Sequence, residues 1–508
     1  MSDPTTPTPP ALPETGGAAA PVRLQEGLRH RAARGTLINA GFLAALTSLG
    51  LVKGFAVAGF LSRRDYGVWG VLVVTLGTLG WLKQVGISDR YLQQDDDDQE
   101  LAFQRAFTLE LVISAGFFLL ALVVVGLMTV AYDRPELLAP GLVVIMIIPA
   151  LVLQSPLWVF WRRLEFVRQR SLEAIDPVVE FVVTVGLAAA GAGYWSLVVG
   201  LLAGNYASAA AIVRASPYPL TLRYDRGTLR QYVRFSWPLV AAGAGGIVVA
   251  QSSVLVGNAA LGLAGVGSIA LASSIALYTT QVDQIITATL YPAICKVRDR
   301  ADLLYESFVK SNRLGLLWGV PLGVGIALFA PDLVRYGLGP HWEPAVRLLQ
   351  VFGLVAAFDQ LGYNWDAYYR ARGQTRPIAV VSLAAMLAFV CVALPLLVVD
   401  GLDGFGAGLA FTAVVTVAAR GIYLARLFPA FGMVRHAARA IAPTIPAAAL
   451  TLAVRALDGR RTLVVAVAEV AVYVIAALFA TLVLERALVR ELAGYLRRAS
   501  APAAGASV

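Results

Sequence analysis

Long apolar segments recur along almost the whole chain, and they limit its fold more than any other feature of the sequence. An α-helix needs about 20 apolar residues to cross a bilayer core, so each segment of this length predicts one transmembrane helix. The segments lie near residues 36–60, 66–87, 106–130, 139–161, 177–193, 194–214, 235–258, 264–293, 312–331, 345–369, 377–399, 404–428, 438–456 and 462–485. The sequence therefore predicts an all-α polytopic membrane protein with about 14 transmembrane helices.

Two of these segments are separated only by the sequence Gly-Ala-Gly-Tyr-Trp at 191–195. A single helix running from 177 to 214 would be too long for any ordinary tilt in a bilayer. The sequence therefore predicts two helices here, with the glycines in the turn between them.

Composition excludes several classes of protein. Hydrophobic residues make up 58% of the chain and charged residues only 14%, whereas about a quarter of a soluble protein is charged. The two cysteines, Cys295 and Cys391, cannot form a disulfide scaffold, and no P-loop sequence is present. His30, His341 and His436 lie far apart in predicted loops or tails. The sequence thus predicts no ATP hydrolysis, no metal site and no cofactor.

The basic residues are distributed unevenly between alternate loops. With the N-terminus inside, roughly thirty Lys and Arg fall in cytoplasmic segments and about eight outside, as the positive-inside rule requires. This asymmetry predicts two cytoplasmic termini, outward-facing loops near 262 and 402, and inward-facing loops near 170 and 300. We interpret the net charge of +9 as a consequence of topology, so we expect no nucleic-acid partner.

The chain resembles itself when it is shifted by 200 residues. This shift places Leu82–Val85 over Val282–Ile285 and Tyr66–Trp69 over Val266–Ile269. Six predicted helices separate the two copies, so both copies run through the membrane in the same direction, as in two parallel repeats. The predicted organisation is a disordered tail with a basic flank (1–35), two six-helix bundles (36–214 and 215–428), and two additional helices with a cytoplasmic tail (429–508).

Four short segments resemble those of a known transporter family. They are Leu61–Gly67 after the first helix, Gln84–Gln94 at the end of the second, Leu290–Ala293 at the end of the eighth, and Tyr369–Arg376 after the tenth. In order and spacing they are similar to the oligosaccharidyl-lipid flippases of the multidrug, oligosaccharidyl-lipid and polysaccharide exporter superfamily.

This resemblance implies a flippase rather than an enzyme. Its substrate would be a polyprenyl-diphosphate-linked oligosaccharide, moved from the cytoplasmic to the outer leaflet of a bacterial inner membrane for lipopolysaccharide or exopolysaccharide assembly. The implied partners are that substrate, the membrane lipids and polysaccharide polymerase machinery.

Lys53 is the first candidate for the substrate cavity. A diphosphate can enter the membrane only where protein dipoles and cations replace its water, and Lys53 lies within the first apolar segment. Asn39, fourteen residues earlier, lies on the same helix face. The alternative roles for Lys53 are an ion pair with Glu110 or snorkelling toward the membrane boundary.

Further polar candidates occur on the seventh and eighth predicted helices. Trp237, Gln251 and Asn258 form a face suited to stacking on a sugar ring and binding its hydroxyls, although hydrogen bonding between helices is an equal alternative. On the eighth helix, three residues are candidates for sugar contact or cation coupling: Tyr278, Gln281 and Asp283.

The tenth predicted helix carries a charged face. Asp359, Tyr363, Asp366 and Arg370 follow the spacing of a single helix face. Intramembrane carboxylates are functional candidates by default, so Asp359 and Asp366 are candidates for coupling to protons or sodium. Arg420 on the twelfth helix offers Asp359 a structural ion pair instead.

Two other functions can be compared with the sequence, a cation antiporter and a membrane enzyme of polysaccharide synthesis. A multidrug or small-cation antiporter of the same superfamily needs a cavity dominated by carboxylates, and Lys53 disfavours this. A membrane glycosyltransferase or polysaccharide ligase needs catalytic carboxylates in a large outer loop. The largest predicted outer loops, around 133–140 and 331–344, are too short for such a domain.

Overall fold

A computed structural model describes residues 41–42, 45–83, 87–93, 96–163, 165–225, 244–457, 461–486, 488 and 490. These ranges are mostly helical and contain no strand, which confirms the predicted all-α polytopic class. In the first half the helices are α1 (Ala45–Phe60), α2 (Arg63–Lys83), α3 (Ile87–Gln93), α4 (Gln99–Ala131), α5 (Leu138–Val144), α6 (Ile147–Leu153), α7 (Leu157–Arg162), α8 (Phe166–Glu173), α9 (Ile175–Ala189) and α10 (Trp195–Ala215).

The second half begins with a long helix and ends with three peripheral ones. Short 3-10 or π turns at Leu277–Thr280, Leu333–Leu338, Pro340–Ala345 and Phe389–Ala393 join or extend its helices. These helices are α11 (Ala244–Ala276), α12 (Gln281–Lys296), α13 (Ala301–Asp332), α14 (Val346–Asp359), α15 (Trp365–Ala371), α16 (Arg376–Ala388), α17 (Leu394–Leu427), α18 (Met433–Ile441), α19 (Thr444–Leu457) and α20 (Leu463–Leu484).

Seven of the described helical segments are long and apolar enough to cross a membrane, or eight if α18 and α19, which meet at 47°, form one span. Four of the seven, at 33 to 52 residues, are longer than one crossing requires, and Val248–Asp283 and Arg376–Leu427 are two of them. Gly262 and Gly401 break these two with positive φ angles of 68° and 63°. The chain is thus a multi-pass membrane protein, and the number fourteen stays a prediction.

The break at Gly401 folds the chain back on itself. A Cβ atom added at Gly408 would lie 2.3 Å from the Cα atom of Ala393, so the segments on either side of the break pack closely as a hairpin. This matches the predicted separation between 377–399 and 404–428. The predicted split near 191–195 is also correct, because α9 ends at Ala189, α10 begins at Trp195, and two glycines between them have positive φ angles.

Several predicted spans are interrupted, and the prediction of continuous helices there was wrong. The segment predicted at 438–456 is bent by 47° where α18 ends and α19 begins. The segment predicted at 139–161 consists of α5, α6 and α7. Pro149 and Pro156 lack the N–H groups that would bond to the carbonyls of Ile145 and Val152 four residues earlier, and turns at 145–146 and 154–156 separate the three helices. The segment predicted at 345–369 is divided by a turn at 360–364, in which Gly362 has a φ angle of 71°.

Helices α2 and α11 cross with their backbones in contact. A Cβ atom at Gly67 would lie 1.9 Å from the carbonyl oxygen of Leu263, and a Cβ atom at Gly267 would lie 1.9 Å from that of Arg63. Only glycine permits such an approach. The two contacts are related by the same 200-residue offset that the sequence comparison indicates. The division into bundles at 214 and 428 itself stays a prediction.

The segment Leu61–Gly67 joins several elements around this crossing. Ser62 and Asp65 cap α2, since the Asp65 carboxylate accepts bonds from the Ser62 hydroxyl at 2.5 Å and from its N–H group at 3.1 Å. The Tyr66 ring packs edge-on against the fully buried Trp342, and the indole of Trp342 donates to the carbonyl oxygen of Ala58 at 2.9 Å. The segment Leu61–Gly67, which resembles the transporter family in sequence, is therefore held in place by contacts with α1 and with Trp342.

A closed group of four charges attaches the last helices to α13. Arg455 lies 2.9 Å from Glu469 and 3.1 Å from Asp332, and Arg461 lies 3.1 Å from each of the same carboxylates. The two acidic side chains are only 4% and 7% exposed. Two cations and two anions balance in this four-residue group, which we call the closed network.

Candidate functional site

Lys53 meets a carboxylate from a distant part of the chain. Its ammonium group, on α1, donates to the Glu180 carboxylate on α9 at 2.7 Å. The two side chains are 22% and 14% exposed, so neither is sealed from solvent. The partner of Lys53 is therefore Glu180 rather than Glu110, which accepts a bond from Ser114. A lysine in an apolar helix is costly unless it is paired in this way.

A second carboxylate lies on the same side of α9. Asp176 and Glu180 are four residues apart, which places them on one helix face. The Asn205 amide on α10 donates to Asp176 at 3.3 Å, and the Gln154 amide donates to the carbonyl oxygen of Asn205 at 3.1 Å. These four residues and Lys53 form the N-half network, which contains one cation and two carboxylates.

A glycine on α10 makes this arrangement possible. A Cβ atom at Gly204 would lie 2.4 Å from a carboxylate oxygen of Asp176 and 3.0 Å from the Cβ atom of Glu180. A larger residue would therefore push α9 and α10 apart. The packing of α9 against α10 holds the two carboxylates on one face of α9, where Lys53 of α1 pairs with Glu180.

A buried polar group surrounds the turn that divides the tenth predicted span. Asn312, on α13, is fully buried and accepts a bond from the N–H group of Gly362 at 3.3 Å; its amide donates to the carbonyl oxygen of Gln360. The His436 imidazole lies 2.6 Å from the same Asn312 oxygen, so His436 belongs to a buried helix face rather than to a loop. Side chains thus replace the backbone hydrogen bonds lost at the turn.

Asp283 lies close to this turn. Its side chain is 5% exposed, and its Oδ1 atom has no hydrogen-bond partner in the described part of the chain. The same atom would lie 2.5 Å from a Cβ atom at Gly315, so α12 and α13 are in close contact here. A buried carboxylate with an unused acceptor atom is compatible with the predicted coupling role, which stays a prediction.

The predicted charged face of the tenth span does not exist as one helix face. Asp359 ends α14 and pairs with Arg420 at 3.2 Å. Asp366 lies beyond the turn on α15 and pairs with Arg370 at 3.1 Å. The prediction of a continuous face was wrong because Gly362 interrupts the helix.

The remaining sugar-contact candidates are separated from one another. The Gln251 amide donates to Thr78 at 2.7 Å, and the Asn258 amide donates to the carbonyl oxygen of Tyr132 at 3.1 Å. These are the helix-to-helix bonds considered as an alternative. Tyr278 lies in the 3-10 turn Leu277–Thr280 and Gln281 begins α12. Asn39 and Trp237 lie outside the described residues.

The sequence analysis identified Lys53 as a candidate but did not identify the residues that surround it. Asp176 and Glu180 were visible as two carboxylates at the start of an apolar segment, the type of signal used for Asp359. Asn205 gave no comparable signal, because amides are common between membrane helices. Spacing cannot reveal that Glu180 meets a residue 127 positions earlier.

The sequence of this chain matches a known protein family. The model of the family described as "Polysaccharide biosynthesis protein" matches residues 56–347, more than half of the chain. The Lipopolysaccharide biosynthesis protein WzxC of Escherichia coli (strain K12) is 22% identical over 347 residues, which is 66% of this chain and 69% of the relative.

Solved structures share the fold. A lipid II flippase, MurJ, in an inward closed conformation has a TM-score of 0.65 at 11% identity, covering 89% of this chain and 99% of its own. An inward-facing MATE multidrug transporter of the MOP superfamily has a TM-score of 0.58 at 12% identity, covering 78% and 100%. By the family model that matches more than half of its length, the chain belongs to the polysaccharide biosynthesis protein family.

Proposed function

We propose that this protein moves a polyprenyl-diphosphate-linked oligosaccharide from the cytoplasmic to the outer leaflet of a bacterial inner membrane, for assembly of a surface polysaccharide. The matched family is named for polysaccharide biosynthesis, the relative is named for lipopolysaccharide biosynthesis, and one structural neighbour is named as a flippase of lipid II. Polysaccharide polymerase machinery would consume the product on the outer face.

The observation that carries this proposal is the partly exposed pair between Lys53 and Glu180. An ammonium within the membrane attracts a diphosphate, and a pair that is still reached by solvent can be opened without burying a bare charge. During transport, Lys53 would exchange the Glu180 carboxylate for the diphosphate and return to Glu180 after release. In this proposal Glu180 keeps the lysine charged and positioned between cycles.

Replacement of Lys53 tests the proposal. Lys53→Ala should lower polysaccharide export by at least ~10-fold, the effect of losing one strong charged contact, while Lys53→Arg retains partial export because its charge persists. Export is measured as surface polysaccharide per unit of membrane-inserted protein. Arg347→Ala is the matched control, since it also breaks a basic-acidic pair, with Asp403, but on an exposed surface.

Two results would count against the role of Lys53. Full export by Lys53→Ala at normal abundance would show that transport does not need the charge. Equal loss of export and of folded protein in Lys53→Ala, with both recovered by adding Glu180→Gln, would show that the pair only stabilises the fold.

The rival function is a cation-coupled antiporter of small organic cations. The observation that favours it is the excess of carboxylates, because Asp176 and Glu180 outnumber Lys53 in the N-half network. Expression in a drug-sensitive strain distinguishes the two functions. Increased resistance to cationic compounds, lost in Glu180→Gln, supports the antiporter, and complementation of a polysaccharide-export defect supports the flippase.

The proposed direction of transport requires both termini to be cytoplasmic. Ala260 and Asp403 are exposed residues beside the turns at Gly262 and Gly401. In a background lacking Cys295 and Cys391, cysteines at 260 and 403 should react with an impermeant thiol reagent applied from outside. Cysteines at 170 and 300 should react only after the membrane is permeabilised. The opposite pattern would reverse the orientation.

A further inference from the structure

A second cavity lies between the beginning of α13 and the helix α18, apart from the N-half network. Its volume is about 500 Å³. Its lining includes aromatic and basic side chains, namely Tyr305, Phe431, Arg313, Arg435, His436 and Arg439. None of these residues was a candidate for transport.

The basic groups of this cavity differ in how they are used. Arg313 is paired with the buried carboxylate of Glu485, and His436 is bound to Asn312. Arg435 and Arg439 are exposed and one helical turn apart on α18, and neither has an ion pair or hydrogen bond with any other residue that the structure describes. The basic groups deeper in the cavity, Arg313 and His436, are therefore bonded to other side chains of the protein, whereas the exposed guanidinium groups of Arg435 and Arg439 are available to a ligand.

Helix α18 has the character of a helix that lies along a membrane surface. Its His436 and Ala440 are buried, Arg435 and Arg439 point into the cavity rim, and Val434 is 84% exposed. The bend of 47° to α19 separates it from the following helix. Short amphipathic helices with arginines beside exposed apolar side chains are typical of the interface between headgroups and acyl chains.

We propose that this cavity binds the phosphate-bearing headgroup of an anionic phospholipid in the cytoplasmic leaflet. The planar guanidinium groups of Arg435 and Arg439 match the geometry of phosphate oxygens. A volume of about 500 Å³ leaves room for the glycerol moiety against Tyr305 and Phe431. The exposed Val434 lies on the same helix, and the acyl chains of the lipid would pass beside it into the membrane. Basic pockets at the cytoplasmic surface bind anionic lipids in this way.

The inference is independent of the transported substrate and rests on the predicted orientation. It is tested on the full-length protein, purified and placed in nanodiscs of phosphatidylcholine with or without phosphatidylglycerol. The measurements are the midpoint of thermal unfolding and the phospholipid retained in native mass spectrometry. The test variant is R435A/R439A, and R435K/R439K keeps both charges.

The matched control is R298A/R300A, which removes two exposed arginines whose ion-pair partners are the neighbouring Asp299 and Asp302. Phosphatidylglycerol should raise the unfolding midpoint of the wild-type protein and of this control. R435A/R439A should lose this rise and bind phosphatidylglycerol at least ~10-fold more weakly, since charged hydrogen bonds are removed. R435K/R439K should bind with intermediate affinity.

Two outcomes would overturn the proposal. The first is an equal response to phosphatidylglycerol in R435A/R439A and R298A/R300A, because general surface charge would then explain binding. The second is the same rise in midpoint with inorganic phosphate in phosphatidylcholine nanodiscs, because the cavity would then be a site for a soluble anion.

Discussion

The N-half network and the closed network are both ion clusters between helices, but they are built differently. The closed network has equal numbers of cations and anions, and its carboxylates are almost fully buried. The N-half network has one ammonium and two carboxylates, and its ion pair remains partly exposed. The closed network is therefore neutral and buried, whereas the N-half network has one carboxylate more than it has cations and an ion pair that solvent still reaches.

The contacts of the central cations show the same difference. Arg455 bonds to two carboxylates and to the carbonyl oxygen of Leu328, and its guanidinium lies 4.8 Å from the centre of the Phe329 ring. Among the described residues, the Lys53 ammonium donates a hydrogen bond to Glu180 alone. A guanidinium fixed by several bonds cannot leave without breaking all of them, whereas an ammonium held by one carboxylate can exchange partners.

Breaking the closed network should have the largest effect on stability. Arg455→Ala removes the cation between two buried carboxylates, and such a loss costs about 3–5 kcal/mol. The purified variant should unfold at a clearly lower temperature, and its abundance in the membrane should fall. A variant as stable as the wild type would show that the buried carboxylates do not depend on Arg455.

Breaking the N-half pair should cost less. A double-mutant cycle of Lys53→Ala and Glu180→Gln should give a coupling energy of about 1–2 kcal/mol, below the effect of Arg455→Ala, because solvent reaches both side chains. Chemical unfolding of the four proteins measures this value. A coupling as large as 4 kcal/mol would make this pair structural and remove the difference between the two networks.

A local pair should have the smallest effect. Asp366 and Arg370 lie one turn apart on α15 and are both partly exposed, and pairs of this type contribute about 0.3–0.5 kcal/mol. Asp366→Asn should therefore change thermal stability very little. If Asp366 also acts in coupling, the same variant should change the dependence of export on the proton or sodium gradient. Unchanged export across these gradients would leave Asp366 with only its local pair.

Glycine and proline explain how much of the fold could be predicted. The glycines at 191 and 193 and at 401 stand where apolar segments end, so hydropathy and turn chemistry agree, and the hairpins there were predicted. Pro149 and Gly362 stand inside apolar segments, where hydropathy indicates a continuous helix. The interruption at Gly362 depends on Asn312, a residue from another helix, which local sequence does not reveal.

The candidate site was predictable only in part, for a related reason. A charged residue such as Lys53 is conspicuous in an apolar segment, because lipid cannot accommodate it alone. Its partner is determined by the packing of α1 against α9, which is tertiary information. Gln251 and Asn258 were weaker candidates because amides are common between membrane helices, and their side chains bond to Thr78 and to the carbonyl oxygen of Tyr132.

The glycine crossing between α2 and α11 has the form of a two-fold interface within a single chain. Gly67 touches Leu263 and Gly267 touches Arg63, as equivalent residues do where two identical subunits meet around a symmetry axis. A dimer of identical subunits must carry the same residue at both equivalent positions. Covalent fusion removes that restriction, and at the same offset Lys53 in one half corresponds to Ser253 in the other. The crossing thus has the contact pattern of a symmetric dimer, while Lys53 faces no such restriction, because the position 200 residues later carries a serine.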